Sequence, residues 1–259
     1  MKHPVRRIRL DLAYDGTDFA GWQMQSAQRT IQGVIEQTLS EIQGAGRVKV
    51  RGAGRTDAGV HARQQVADFD LASRLDDPSL ERALSRMLPM DVRPLRVGTT
   101  AAIFHSQNHA VSKSYRYRLD LSRHGDPLQA RYALHYPHPL DLGHLESALG
   151  KLVGRRDWSG FAASACDKLD RVRTLTEARL ERITETTWEL VFSADGFLQH
   201  MVRNLVGTLL EIGGGRMAAT TIQEVLASGD RGQAGPTAAA RGLCLDRVRY
   251  ADDDPGASP

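Results

Sequence analysis

The sequence predicts an α+β fold in which the order strand, helix, strand, strand, helix, strand occurs twice. Three observations carry that expectation. Residues Ile8, Leu10, Leu12 and Tyr14 alternate with Arg7, Arg9, Asp11 and Ala13, the period of a half-buried strand. Ile31, Val34, Ile35, Leu39 and Ile42 recur at helical spacing behind a Thr30 N-cap. The pattern of the first hundred residues is then approximately repeated by the remainder.

Taken in order, the first half continues with strands at 47–51 and 65–71, a helix near 79–88 and a strand at 92–97. Pro94 cannot donate to a ladder, which marks that last strand as an edge. The second half opens with a strand at 114–121 and a helix at 142–153, followed by a hairpin of strands 173–183 and 187–193. Helices at 197–212 and 221–227 precede a final strand at 243–250. The duplication reads as two ferredoxin-like halves, 1–105 and 106–250, with a largely antiparallel sheet and helices on one face. Residues 251–259, rich in Asp, Pro, Gly and Ser, are expected to form a disordered tail.

Composition is that of a soluble globular chain, 41% hydrophobic and 25% charged over 259 residues. No apolar run approaches a membrane span, and Met1-Lys-His-Pro leads into no signal-peptide core, so a cytoplasmic location is expected. Cys166 and Cys244 form no metal-ligand pattern and read as core or near-surface thiols. The net charge of +3 says little about a nucleic-acid partner. Its distribution says more, since Lys113, Arg116 and Arg118 cluster, and Arg51, Arg55 and Arg63 bracket one loop. Each cluster is open to two readings, phosphate contact or a solvated charged face.

That loop, Arg51-Gly-Ala-Gly-Arg-Thr-Asp-Ala-Gly-Val-His61, sets one carboxylate, Asp57, among glycines and small residues. The glycines permit close approach of a ligand, and Arg55 and Asp57 supply a cation and a nucleophile or base. The plain alternative is a hairpin whose Asp57 bonds its own backbone. A dinucleotide fingerprint would need glycine at Asp57, and a P-loop would need Gly-Lys-Ser/Thr where Gly59-Val60-His61 stands.

The stretch 197–212 is apolar nearly all round, except for a stripe of His200, Arg203, Asn204 and Gly207 at helical spacing. Such a helix should be buried, and an arginine on it should have a partner, a carboxylate fitting best. The alternative places Arg203 in water. On the strand at 114–121, Tyr115 and Tyr117 project from one face; both could be core aromatics. His61, His105 and His200 lack metal-ligand spacing, and no metal or cofactor is expected. His61 reads as a donor bracing the loop, and Asp15 with Trp22 as a structural or RNA-contacting turn.

Five pieces in order give the chain a resemblance to the tRNA pseudouridine synthase A family from about Ile8 to Tyr250. They are Tyr14-Asp-Gly-Thr-Asp-Phe-Ala-Gly-Trp-Gln23, Gly54-Arg-Thr-Asp-Ala-Gly-Val-His61, Tyr115-Arg-Tyr117, the stretch from Phe197 to Gly207 with His200-Met-Val-Arg-Asn204, and Gly242-Leu-Cys-Leu245. The resemblance implies the same duplicated fold with a central RNA-binding cleft, and isomerisation of uridine to pseudouridine at tRNA positions 38 to 40 of the anticodon stem-loop. It further implies a homodimer bridged by tRNA and a reaction without cofactor. Asp57 matches the catalytic aspartate, Arg203 the arginine paired with it, Tyr115 the active-site tyrosine that stacks on uracil near C5, and Arg55 the arginine that holds the target nucleotide out of its stack. Desolvation pushes a carboxylate in a covered cleft toward its neutral form, and a guanidinium within about 4–6 Å opposes this. Attack on the sugar, addition to the base and removal of a sugar proton all remain open as the carboxylate's task.

Gln107, Gln64 and Ala162 depart from the family's usual arginine, glycine and arginine, so the family's RNA-backbone contacts are not carried over. Two rival readings are a non-catalytic ferredoxin-like RNA-binding module and a glycoside hydrolase. The first gives no reason to combine Asp57 with a buried Arg203. The second needs two carboxylates flanking the bond, and the loop offers one.

Overall fold

The computed structural model describes residues 3–44, 46–164, 166 and 168–251. Among them are ten strands, mostly antiparallel, and five α-helices. The chain divides into two compact units: the residues up to Val111 together with those from Leu245 onward, and Ser112–Cys244. The sequence reading set a single division near residue 105.

The first unit begins with β1 (Val5–Tyr14), α1 (Ile31–Gln43), β2 (Val50–Gly52), β3 (His61–Ala72), α2 (Asp77–Met87) and β4 (Val92–Thr99). Pairing gives the order β4-β1-β3-β2 with every ladder antiparallel, the arrangement of a ferredoxin-like βαββαβ unit. Alternation in β1 buries Ile8, Leu10 and Leu12 completely. The Thr30 hydroxyl caps α1 by accepting from the Gly33 N–H at 3.2 Å, and Gly44 closes that helix in the left-handed region at φ 78°. Asp76 caps α2 in the same way through Ser79 N–H at 2.9 Å. As Pro94 predicts, β4 is the edge strand, and its register with β1 slips by one residue at Leu95.

The second unit holds β5 (Ala110–Asp120, from Ser112 on), β6 (Leu134–His135), α3 (Leu142–Gly150), β7 (Gly154–Asp157), β8 (Val172–Arg182), β9 (Thr187–Ala194), α4 (Met201–Gly213) and α5 (Thr221–Ser228). Its sheet runs β5-β9-β8-β7, with the short β6 pairing β5 in parallel. The last strand, β10 (Leu243–Tyr250), passes from this unit into the first, where it lies beside β3.

Several elements differ from the sequence reading: β6 and β7 were not expected, and β3, read from 65, begins at His61. The helix expected from Phe197 starts only at Met201, because His200 takes the left-handed conformation at φ 61° and ends a turn instead of continuing a helix. The helix expected to reach 153 stops at Gly150. Of the C-terminal tail, residues 252–259 lie outside the described residues.

Register between β5 and β9 is unbroken from Lys113↔Ala194 to Asp120↔Thr187, so side chains alternate strictly between two faces. One face carries Lys113, Tyr115, Tyr117 and Leu119, the last three buried. The other carries Ser114, Arg116 and Arg118. There Arg116 pairs with Glu181 at 2.5 Å and Glu189 at 3.0 Å, and Arg118 pairs with Glu189 at 2.7 Å. The cluster of Lys113, Arg116 and Arg118 seen in the sequence is therefore no single basic patch. Two of its members balance glutamates on β8 and β9.

Candidate active site

The Asp57 loop joins β2 to β3 and is fastened from beneath by the segment that follows β1. The Trp22 N–H donates to Thr56 O at 3.0 Å, and the Gly59 N–H donates to Phe19 O at 3.3 Å. The Tyr14 hydroxyl meets the Thr56 hydroxyl at 2.9 Å, both groups being buried. Gln65, fully buried on β3, donates to Gly54 O at 2.9 Å and lies 3.4 Å from the Tyr14 hydroxyl. Backbone approaches backbone so closely here that a Cβ on Gly21, which has φ +95°, would stand 2.8 Å from Thr56 O. Trp22 is 2% exposed, which settles its role as structural. Asp15 takes the Thr17 N–H at 3.0 Å and hydroxyl at 2.6 Å, forming the turn that supports this segment.

These bonds fix the loop's backbone and leave Asp57 half-exposed between buried Thr56 and exposed Ala58. The Asp57 carbonyl accepts from the Val60 N–H at 3.2 Å, closing a tight turn. His61 braces the loop at Nδ1, with Gly16 N and an Asp15 carboxylate oxygen each at 3.1 Å. The Gly16 N–H donates to that ring nitrogen.

Of the three arginines bracketing the loop, Arg51 pairs with buried Asp68 at 2.5 Å and Arg63 with Asp246 at 3.3 Å. Burial works to raise the Asp68 carboxyl, and hydrogen bonds from Arg51 and Ser106 outweigh it, holding the group below the usual carboxylate range. Arg55 is exposed and forms no ion pair among the described residues.

In the second unit, α4 is buried along nearly all its length, with Arg203 and Glu211 half-buried. Arg203 is anchored to the strap 236–239: its Nε donates to Ala238 O at 2.8 Å, while its own carbonyl accepts from the Ala238 N–H at 3.0 Å. The Nε bond holds one edge of the guanidinium on the strap, and the backbone bond holds the residue that carries it. Asn204 is structural, with its amide nitrogen on Phe161 O at 2.8 Å and its oxygen accepting from Thr237 at 2.6 Å and Arg231 at 3.0 Å.

The next carbonyl of the strap, Ala239 O, accepts from the Tyr117 hydroxyl at 2.8 Å. Burial pushes this phenol above its ordinary range, against the opposing charges of Arg203 and Arg241. Tyr117 is thus a neutral structural donor. Gly242 lies so near its ring that a Cβ there would stand 2.7 Å away, which accounts for the glycine of Gly242-Leu-Cys-Leu245. Tyr115, 7% exposed, meets Phe197 edge to face, with centroids 5.0 Å apart at 85°. The sequence reading assigned Phe197 to a helix and missed this contact, for which the only local signal is Gly196 before it.

The second unit thus gathers Tyr115, Tyr117, Phe197 and Arg203, and the first holds Asp57 and Arg55. Among the described residues no group of three or more His, Cys, Asp or Glu side chains is placed to hold a metal ion. No described helix is long and apolar enough to cross a membrane.

A duplicated α+β chain that presents a carboxylate on a clamped glycine loop, with an anchored arginine and a tyrosine in its other unit, matches a known class. The profile of the family described as tRNA pseudouridine synthase matches residues 12–102 and 148–251. A Streptococcus gordonii protein named tRNA pseudouridine synthase A is 43% identical over 247 residues, 95% of this chain and 99% of its own length. Another of that name, from Streptococcus suis, is 44% identical over 249 residues, 96% of this chain and all of its own. A solved pseudouridylate synthase covers 80% of this chain and 58% of its own with 11% identity and a TM-score of 0.34, and the fold assignment rests on strand order instead. The chain belongs to the tRNA pseudouridine synthase family, which is a family of isomerases.

Proposed function

We propose that the protein converts uridine to pseudouridine at positions 38 to 40 of the tRNA anticodon stem-loop, with Asp57 as the catalytic carboxylate. The observation that carries this reading is the clamping of the Asp57 loop. Its backbone is held at Gly54, Thr56, Asp57 and Gly59 while the carboxylate-bearing residue stays half-exposed, which is the preorganisation that chemistry at a fixed point requires.

The reaction balances within one nucleotide. The C1′–N1 bond breaks, the uracil turns, C1′ joins C5, the C5 proton departs and N1 ends protonated. Attack on C1′, addition to the base and abstraction of a sugar proton all need the carboxylate ionised, and the guanidinium of Arg203 is the group assigned to favour that form. Tyr115 supports the uracil through its ring and places its hydroxyl near C5. Arg55, exposed on the same loop as Asp57, holds the target nucleotide out of its stack. The working unit is a cytoplasmic homodimer bridged by tRNA.

Incubation of unmodified tRNA bearing uridines at 38 to 40 and elsewhere with the purified protein, followed by pseudouridine mapping at nucleotide resolution, tests the reading. Pseudouridine confined to 38 to 40 supports it. Modification elsewhere overturns the site assignment, and none at all overturns the activity.

A further inference from the structure

Phe19 is the residue whose carbonyl accepts from the Gly59 N–H, and Gly59 belongs to the turn that the Asp57 carbonyl closes with the Val60 N–H. Whatever holds Phe19 in place therefore bears on the position of Asp57. Phe19 lies between β1 and α1 and is 3% exposed. Part of its cover is a cation. The Arg29 guanidinium carbon stands over the ring, 3.9 Å from its centroid, at cation–π distance.

Arg29 is held there from the segment between α2 and β4. Its Nη1 and Nη2 donate to the two Asp91 carboxylate oxygens at 2.7 and 2.9 Å, a parallel fork that sets the direction of the guanidinium. Both partners are also tied by backbone to the segment that carries Phe19. The Asp91 carbonyl accepts from the Asp15 N–H at 3.0 Å, and the Arg29 carbonyl accepts from the Ala20 N–H at 2.9 Å, so the two ties fall on either side of Phe19. With side chains 41% and 28% exposed, Arg29 and Asp91 are screened by water, and such a pair contributes little to global stability. What the fork and the stack supply is orientation.

We propose, on the reading of Asp57 as the catalytic carboxylate, that Arg29 and Asp91 are positioning residues for the reaction. The ion pair holds the Phe19 ring, the Phe19 carbonyl holds Gly59, and the Gly59 turn sets where the Asp57 carboxylate meets the uridine. Neither side chain touches the RNA.

Arg29→Gln, Asp91→Asn, the double variant and Arg29→Lys, each compared with the wild type in single-turnover rate at saturating stem-loop, stem-loop Kd and hydrogen exchange of the Gly59 amide, test the brace. A drift of a fraction of an ångström at the carboxylate should lower the rate of each single variant roughly tenfold, while Kd stays within about twofold. Gly59 exchange should speed up while amides in β1 and β3 keep their protection. The double variant should be no slower than the slower single one, because the two side chains act as one unit. Lysine, which keeps the charge without the planar fork, should restore the rate only in part. Wild-type rates per bound stem-loop in folded variants overturn the brace and leave the catalytic reading standing. So does a rise in Kd with an unchanged rate, which would make Arg29 an RNA contact, and so does a loss of folded protein in all four variants, which would make the pair structural. An Asp57→Asn enzyme that forms pseudouridine, or a wild type that forms none, removes the reading on which the brace rests.

Discussion

Replacing Lys113 with methionine should stabilise the fold, and it should do so in a pH-dependent way. The ammonium titrates at about 8 against an ordinary 10.5, first because of burial and then because Arg173 and Lys168 face it. At about 1.36 kcal/mol per pH unit that gap corresponds to roughly 3 kcal/mol, and water reaching the half-buried side chain reduces it to about 1–2 kcal/mol. Below pH 8 the lysine is protonated in both the folded and unfolded chain, so the full handicap is present. Between about 8 and 10.5 the unfolded chain holds the proton that the folded chain has released, so stability rises with pH. Urea unfolding of wild type and Lys113→Met at pH 7 and pH 10 measures the effect, provided m is unchanged. The variant should be more stable by about 1–2 kcal/mol at pH 7, and the difference should shrink at pH 10. A variant less stable than wild type at pH 7, or a difference indifferent to pH, would refute the reasoning.

Three further substitutions address the clamp and the proposed chemistry. Tyr14→Phe removes the hydroxyl that meets Thr56 at 2.9 Å, and should cost ~1–3 kcal/mol in denaturant unfolding and lower kcat more than RNA affinity; equal kcat would show that the loop holds its position without the bond. Arg203→Lys keeps the charge and loses the planar Nε bond to Ala238, so single-turnover rates should fall at least about tenfold, ~1.4 kcal/mol of barrier; wild-type rates would mean that orientation does not matter. Tyr115→Phe keeps the ring against Phe197 and removes the hydroxyl, so it should bind normally and turn over about 10²–10⁴ slower if that group relays the C5 proton; full activity together with failure of Tyr115→Ala would reduce the tyrosine to a stacking platform.

Local pattern made much of the fold legible. Alternation through Ile8, Leu10 and Leu12 located β1, Thr30 marked the start of α1, and Pro94 marked β4 as an edge. Composition failed at the start of α4. Phe197 and Leu198 are apolar for packing reasons, one against Tyr115 and the other 5% exposed, so they imitated a helical turn. The left-handed backbone at His200 leaves no trace in hydropathy. The candidate site's motifs could be picked out in the sequence, but the bonds that support them could not. Tyr14 and Thr56 are 42 residues apart, and the glutamates that neutralise Arg116 are 65 and 73 residues away. A run of basic residues therefore looked like one patch until the strand separated Lys113 from its neighbours. Arg203 was found by its apolar helix, whereas its anchor on Ala238, 35 residues on, required the folded chain.

The central claim, that Asp57 performs chemistry on a bound uridine, is tested most directly by Asp57→Asn, with stem-loop affinity and pseudouridine formation measured on the same preparation. Phosphate contacts supply most RNA affinity, and the loop is held at Gly54, Thr56 and Gly59 through backbone groups. Binding should therefore stay within about tenfold, ~1.4 kcal/mol, while no pseudouridine forms at positions 38 to 40. Turnover at an appreciable fraction of the wild-type rate would contradict the claim.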